Sequence, residues 1–228
     1  MAKQAESAPA QESVSFTIKS VQTWRAVLRR AVEWKTARYT KGDIEATVVG
    51  VTDSDGTVGY GYMPSMSIVG ESPLSSESLI QTLLVPVMKG RSFIGIQPVL
   101  REVEQVLGAN FQTKFTTEEA LWDPVAKRFQ TPLVNLIGGA CRLEVPVMRM
   151  LGLKAPQETA DEAKALVDRG YRHVKVKIGL DEKRDIDTVR RVRDAIGEDV
   201  FLSADANQAY IPMQAVRVLR ALENVSLG

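Results

Sequence analysis

The segment HVKVKIG, residues 173–179, carries two lysines two residues apart, Lys175 and Lys177. Apolar residues alternate with these lysines, and a period of two predicts a β-strand. Because side chains two residues apart on a strand point to the same face, both amines lie on one face of the predicted strand. Strands that run between helices are ordinarily apolar on both faces. Two amines on such a strand are therefore candidates for chemistry rather than for packing.

Asp205 and Asn207 lie near the end of the next predicted strand, in the segment SADAN. They too are two residues apart, and their carboxylate and amide oxygens are hard ligands that suit Mg²⁺. The alternative is structural, because an Asp or Asn after a strand often caps the following helix. The lysines on the adjacent strand favour a charged site, since a buried amine without an acidic partner is costly.

Strand and helix patterns alternate from Glu144 onward. The predicted strands are VPVMRML, HVKVKIG and VFLSADAN, and the predicted helices are TADEAKALVDRG, EKRDIDTVRRVRDAIG and IPMQAVRVLRALE. Successive strand and helix units predict a parallel sheet with right-handed crossovers. Ligands of such proteins gather at the carboxyl ends of the strands, and Lys177 and Asp205 both lie there.

The chain before Glu144 has an antiparallel pattern followed by helices. VSFTIKSVQTW predicts one strand, and IEATVVGVTDSDGTVGYGYM predicts two strands joined by a turn at residues 54–56. VEWKTARYTKGD and PSMSIVGESP are typical of loops. The predicted helices are LIQTLLVPVMKG, PVLREVEQVLG and TTEEALWDPVAKRF. The last one opens with a Thr and acidic first turn, which suits capping. It contains Pro124, which either kinks the helix or marks its first turn.

Composition excludes several classes of protein. The 29 basic and 28 acidic residues give a formal net charge of +1, which provides no field to attract nucleic acid or an anionic membrane. The single cysteine, Cys141, cannot form an internal disulfide, which fits a reducing compartment. The sequence shows no secretory leader and no apolar run of about 18 residues. We therefore expect a cytoplasmic protein that acts on a small molecule.

Three motifs, taken together, resemble the enolase superfamily in its mandelate racemase and muconate lactonizing enzyme branch. They are ALWDPVAKRFQTPLVNLIGG, RGYRHVKVKIG and SADANQAY, and the resemblance runs from Val14 to the last residue. It implies an α+β capping domain followed by an incomplete (β/α) TIM-type barrel of about three βα units. The expected divisions are a disordered tail at residues 1–13, the capping domain at 14–140 and the partial barrel at 141–228.

The same resemblance implies an enzyme that uses Mg²⁺, or alternatively Mn²⁺, to remove the proton α to a carboxylate through an ene-diolate intermediate. Lys177 would be the general base and Lys175 its electrostatic partner. A second ammonium and a divalent cation nearby disfavour the protonated form of Lys177, which allows it to act as a base at neutral pH. Asp205 would be a metal ligand.

The resemblance also implies a small carboxylate substrate and a homo-oligomer when the protein is complete. Loops at residues 34–41 and 63–71 would close over the substrate, and the substrate-binding candidates are Asn207, Arg38 and Lys41. For the two loop cations the alternative is a solvated surface charge. Racemisation or epimerisation, cycloisomerisation and dehydration all remain open as reactions.

The resemblance breaks in the barrel. A closed barrel needs eight strand and helix units, and after Val145 this sequence has room for about three. In the family the other metal ligands end later strands, so we expect a truncated enzyme that is inactive alone. The alternative is a non-catalytic remnant or an assembly subunit that needs a complementary chain.

Overall fold

The computed structural model describes residues 15–29, 34–35, 40–64 and 69–228. The tail predicted at residues 1–13 lies outside these ranges. The described residues form two compact units, of which the first comprises residues 15–29 and 43–141 and the second comprises residues 142–228 with the short segments around 34–42. No described helix has both the length and the apolar character needed to cross a membrane.

The first unit contains an antiparallel four-stranded sheet in the order β5-β4-β1-β6. Its strands are β1 (Ser15–Leu28), β4 (Ile44–Asp53), β5 (Val58–Pro64) and β6 (Ser92–Ile94). The predicted turn between β4 and β5 is confirmed. Asp53 Oδ1 accepts hydrogen bonds from the amides of Asp55 and Thr57 at 3.0 and 2.9 Å, and Gly56 supplies the positive φ of 85° that the turn requires.

Helices cover one face of this sheet and form the core with it. They are α1 (Pro73–Leu79), a π-helical turn (Ile80–Leu84), α2 (Val85–Met88), α3 (Gln97–Val106), α4 (Phe111–Arg128) and α5 (Leu133–Leu136). The apolar side chains that pack together are Ile18, Val49, Val51, Ile80, Leu84, Met88, Val99 and Leu121. The predicted helices are therefore present, and α1, the π-helical turn and α2 follow one another without a gap.

Helix α4 begins earlier than the sequence pattern predicts. Its first residue is Phe111 rather than Thr116. The reason lies far away in the chain, because the buried carboxylate of Glu71 accepts hydrogen bonds from the amides of Gln112 and Thr113 at 3.1 and 2.9 Å. This satisfies amides that a helix start leaves unpaired. Pro124 lies well inside the helix, so the interpretation that it marks the first turn is wrong.

Two glycines of β5 let α4 approach the sheet edge. A Cβ at Gly61 would lie 1.9 Å from the Thr116 carbonyl oxygen, and one at Gly59 would lie 2.0 Å from Pro124 Cδ. The helix then supplies partners for the outer amides of this edge strand, since Asp123 Oδ2 accepts from Tyr60 N at 2.9 Å. The glycines of the GYGY segment, residues 59–62, therefore allow α4 to pack closely against β5.

The segment predicted as a loop between β1 and β4 contains two short strands. These are β2 (Trp34–Lys35) and β3 (Thr40–Lys41), which pair antiparallel. The loop prediction is wrong for these four residues. Alternating charged and aromatic residues carry no apolar period, which is why the pairing had no sequence signal.

The second unit is a partial βα barrel built on a three-stranded parallel sheet. Its strands are β7 (Arg149–Leu151), β8 (His173–Lys177) and β9 (Phe201–Asp205), and its helices are α6 (Pro156–Asp168), α7 (Glu182–Ile196) and α8 (Pro212–Ala221), followed by a 3-10 turn (Glu223–Val225). The strand and helix alternation is confirmed. After α8, Leu227 makes a parallel bridge to Leu202 of β9.

Candidate active site

The two faces of β8 differ in the way its alternating sequence predicts. Val174 and Val176 are fully buried in the core that α6 and α7 cover. Lys175 and Lys177 lie on the opposite face, with 25% and 6% of their side chains exposed. In the register with β9, Lys177 lies beside Asp205 and Lys175 beside Ser203. The strand therefore presents both amines beside the end of its neighbour.

Both lysines contact one carboxylate oxygen. Lys177 Nζ lies 2.7 Å and Lys175 Nζ 2.8 Å from Oδ2 of Asp205. Lys177 also donates to the side-chain oxygen of Asn207 at 2.7 Å. The structure thus joins four of the predicted residues, Lys175, Lys177, Asp205 and Asn207, in one polar cluster.

The charge state of Asp205 follows from this cluster. Burial by itself raises the pKa of the Asp205 carboxyl group, but hydrogen bonds from Lys175, Lys177 and the Asn207 amide have the opposite effect. The net result is a pKa well below the ordinary value of an aspartic acid. Asp205 is therefore an anion at neutral pH, as a metal ligand or a lysine partner must be.

Asp205 and Asn207 are the two members of the cluster whose side-chain oxygens could coordinate a divalent cation. Both offer oxygen atoms, which Mg²⁺ prefers, and this ion is commonly held by one or two carboxylates together with water and substrate oxygens. Within the described part of the chain, no group of three or more His, Cys, Asp or Glu side chains could hold a metal ion. The Asp205 and Asn207 oxygens are of the type that Mg²⁺ prefers, and they would supply only part of its coordination shell.

The turn after β9 has an unusual backbone. Asn207 and Gln208 have φ values of 48° and 63°, a left-handed region that few residues other than glycine adopt. The Asn207 amide donates to Asp205 Oδ1 at 2.9 Å, and the Asn207 side chain accepts from Lys177. The predicted substrate-binding residue is thus held by the cluster itself.

The remaining predicted residues are placed apart from the cluster or are not described. Arg38 lies outside the described residues, and Lys41 lies in β3, where only the backbone is described. His173, the first residue of the segment that carries the two lysines, lies at the amino end of β8. Its ring lies 3.2 Å from Ser203 Oγ and packs edge-on against Phe201. These contacts are structural in kind.

Two residues that connect the segments after β8 and β9 were not singled out from the sequence. Asp185 on α7 is fully buried, and Tyr210 in the segment after β9 donates its hydroxyl to Asp185 Oδ2 at 2.6 Å. The sequence of α7 is rich in charged residues and is typical of a solvent-exposed helix, so it gives little indication that Asp185 is buried. A signal does exist, because Asp185 shares one helical face with Val189, Val192 and Ile196, all of which are buried.

Two family models match the chain. Residues 19–138 match the N-terminal domain of mandelate racemase and muconate lactonizing enzyme, and residues 158–228 match the enolase C-terminal domain-like family. The L-Ala-D/L-Glu epimerase of Bacillus subtilis is 31% identical over 210 residues, which cover 91% of this chain and 57% of that protein. The N-succinyl-L-Arg/Lys racemase of Bacillus cereus is 27% identical over 169 residues, covering 74% of this chain and 46% of the relative.

Solved structures agree with these matches. The substrate-liganded Bacillus subtilis epimerase superposes with a TM-score of 0.84 at 31% identity, over 93% of this chain and 59% of that one. The dipeptide epimerase from Enterococcus faecalis, complexed with Mg and the dipeptide L-Leu-L-Tyr, gives 0.84 at 26% identity, over 92% and 59%. The chain spans about half the length of the curated relatives it matches. The chain belongs to the mandelate racemase and muconate lactonizing enzyme branch of the enolase superfamily.

Proposed function

We propose that this protein is part of a Mg²⁺-dependent enzyme that removes the proton α to the carboxylate of a small substrate, with Lys177 as the base. One observation carries the proposal: a largely buried lysine is held at the carboxyl end of its strand, where Asp205 and Asn207 fix its amine at 2.7 Å each. Polar groups converging at this end of parallel strands are the usual mark of a ligand site. Because both hydrogen-bond partners of the buried Lys177 amine are fixed, the position of that amine is defined.

Each residue of the cluster has a role in this proposal. Lys177 accepts the α-proton, and Lys175, whose amine shares the same carboxylate oxygen, is its electrostatic partner. Asp205 stays ionised and would hold the metal ion together with further ligands. A bound Mg²⁺ would neutralise negative charge that develops on the substrate carboxylate. Asn207 keeps the Lys177 amine in place.

Epimerisation or racemisation is the reaction that the relatives favour. The proteins most similar in sequence and structure include an L-Ala-D/L-Glu epimerase, a dipeptide epimerase and an N-succinyl amino acid racemase. We therefore propose a dipeptide or an N-acylated amino acid as the substrate, and an isomerase rather than a lyase. Cycloisomerisation and dehydration share the first proton transfer and are the alternatives.

The test is exchange of the α-proton in deuterated water. The complete enzyme of which this chain is proposed to be a part, supplied with Mg²⁺, is incubated with a panel of dipeptides and N-succinyl amino acids, and the α-proton signal is followed by NMR. We expect the signal of at least one carboxylate substrate to disappear, and chelation of the metal to stop the exchange. Absence of exchange across the panel, with a folded protein and Mg²⁺ present, would overturn the proposal.

A second candidate function is that of a subunit completed by another chain. It is favoured by the apolar residues that the described second unit leaves exposed on α8 and β9, namely Met213, Leu219 and Phe201. Exposed apolar side chains that lie together favour association. Light scattering on the purified 228-residue chain separates the two candidates. A monodisperse monomer with turnover contradicts the subunit, whereas activity that appears only with a complementary chain supports it.

We also propose the division into a capping domain at residues 14–140 and a partial barrel at 141–228. The support is that the described residues separate into two units near residue 141. A cytoplasmic location is a proposal as well, supported by the exposed free thiol of Cys141. Limited proteolysis tests the division, since cleavage near residue 141 should release two resistant fragments.

A further inference from the structure

Asp185 concentrates an unusual number of hydrogen bonds on one oxygen. Its Oδ2 accepts from the backbone amides of Gly179, Leu180 and Asp181 at 2.8, 3.0 and 3.2 Å. Its other oxygen accepts from Arg184 at 3.1 Å. The side chain is fully buried. A carboxylate in this position fixes the backbone that leaves β8, starting two residues after Lys177.

By itself this arrangement could serve only the start of α7. Asp181 is the N-cap of that helix and accepts from the Arg184 amide at 2.9 Å. The amides bound by Asp185 precede the helix, and Gly179 has a φ of 112°, so the carboxylate stabilises a tight turn. A local role of this kind would need no partner from another part of the chain.

Tyr210 supplies such a partner. It lies three residues after Asn207, in the segment that connects β9 to α8, and its hydroxyl donates to the same Asp185 oxygen at 2.6 Å. Burial, together with the bond to Asp185, raises the pKa of the Tyr210 hydroxyl, so the group stays a proton donor across the working range of pH. One carboxylate therefore joins the segment after Lys177 to the segment after Asp205.

The segment after Asp205 needs an external restraint. Asn207 and Gln208 both occupy the left-handed region, which Asn tolerates but which is unfavourable for Gln208. Locally, the Asn207 amide donates to Asp205 Oδ1 and the Ala209 amide to the Ala206 carbonyl oxygen. From outside the turn, Lys177 holds Asn207, and Asp185 holds Tyr210. Loss of the bond between Asp185 and Tyr210 would let the turn relax and withdraw Asn207 from Lys177.

We infer that Asp185 and Tyr210 are positioning residues, which hold the turn at residues 205–210 so that Asn207 and Asp205 fix the Lys177 amine. The inference rests on the proposed function of Lys177 as the base. It assigns no contact with substrate to either residue. The Tyr210 side chain packs against the apolar core of the second unit, which contains Ile178, Val218 and Leu222, so the proposed role falls to its hydroxyl.

The test substitution is Tyr210→Phe, which keeps the ring and removes the hydroxyl. Tyr171→Phe is the matched control, because Tyr171 lies in the same unit at the other end of β8, with its ring against Arg169. In ¹⁵N-labelled full-length protein without substrate, we expect the side-chain amide of Asn207 to shift or broaden in Tyr210→Phe and to stay unchanged in Tyr171→Phe. Unchanged Asn207 signals in both variants overturn the inference.

Kinetics separate positioning from stability. Because misplacement by about 1 Å lowers a rate by roughly a hundredfold, we expect kcat per folded molecule to fall about tenfold to a hundredfold in Tyr210→Phe, with KM within about twofold. A purely structural role would lower the melting temperature and leave kcat per folded molecule unchanged, which contradicts positioning. If the complete enzyme with unaltered Tyr210 shows no turnover, the proposed function fails, and the NMR comparison still decides whether Tyr210 holds the turn.

Discussion

Replacement of Asp205 by Asn removes the negative charge that two lysines share while it keeps the shape of the side chain. At 2.8 Å and an effective dielectric constant of about 20, each pair attracts by about 6 kcal/mol before the cost of desolvation. The net contribution of each pair to the free energy of unfolding is smaller, because desolvation of the charges opposes the attraction. A hydrogen bond between charged groups contributes about 1.5–3 kcal/mol, which applies to the buried Lys177, and a quarter-exposed pair such as that of Lys175 adds about 0.5 kcal/mol. We expect Asp205→Asn to cost about 2–3.5 kcal/mol at pH 7.

The assay is native-state hydrogen exchange of the amides of β8 and β9, with a chelator present. It reports on the second unit alone, which matters because the two units need not unfold together. Asp187→Asn is the control, since Asp187 forms a half-exposed i,i+4 pair with Arg191 at 2.9 Å. That variant should change the free energy of unfolding by no more than about 0.5 kcal/mol.

The effect of Asp205→Asn also depends on pH in a definite direction. The folded-state pKa of Asp205 is lowered, so its contribution to stability is fully present above the unfolded-state pKa of about 3.9. It is lost as the pH falls through the folded-state pKa. The difference between wild type and Asp205→Asn should therefore shrink in acid. A cost no larger than that of Asp187→Asn, or a difference that grows as the pH falls, would refute the reasoning.

Two further predictions concern the first unit. Gly61→Ala places a methyl group 1.9 Å from the Thr116 carbonyl oxygen, so the thermal midpoint should fall by many degrees. Gly108→Ala, with nothing within 4 Å, should change the midpoint little. Equal midpoints would show that α4 does not approach β5 so closely. Glu71→Gln removes the carboxylate acceptor at the start of α4. Urea denaturation should show a loss of about 1–2 kcal/mol in the free energy of unfolding. A variant as stable as the wild type would contradict this prediction.

The sequence predicts features that local pattern determines. The alternation in β8 places the lysines on one face, and the chain order of strands and helices places Lys177 and Asp205 at the same sheet edge, which the register confirms. The contact between both lysines and one Asp205 oxygen was not predicted, because the expected partner was a metal ion. Local pattern gives the edge of the sheet but not which polar groups pair there.

Long-range hydrogen bonds explain most of what the sequence did not reveal. Helix α4 starts at Phe111 because Glu71, 41 residues before Gln112, accepts its first amides. No pattern within α4 contains that information. Asp185 likewise looks like one charge among many in α7, and only the fold shows that its carboxylate is buried and shared with Tyr210.

The central claim is that Lys177 removes the α-proton, and the most direct measurement is the rate of deuterium incorporation at the substrate α-carbon in Lys177→Met. The substitution keeps the length of the side chain, and Lys164→Met removes the lysine of an exposed pair with Asp168 as a control. General bases contribute about 10²–10⁴ in rate. We predict a fall of about that size in Lys177→Met and none in Lys164→Met. Incorporation in Lys177→Met at the rate of the unaltered protein would contradict the assignment of the base.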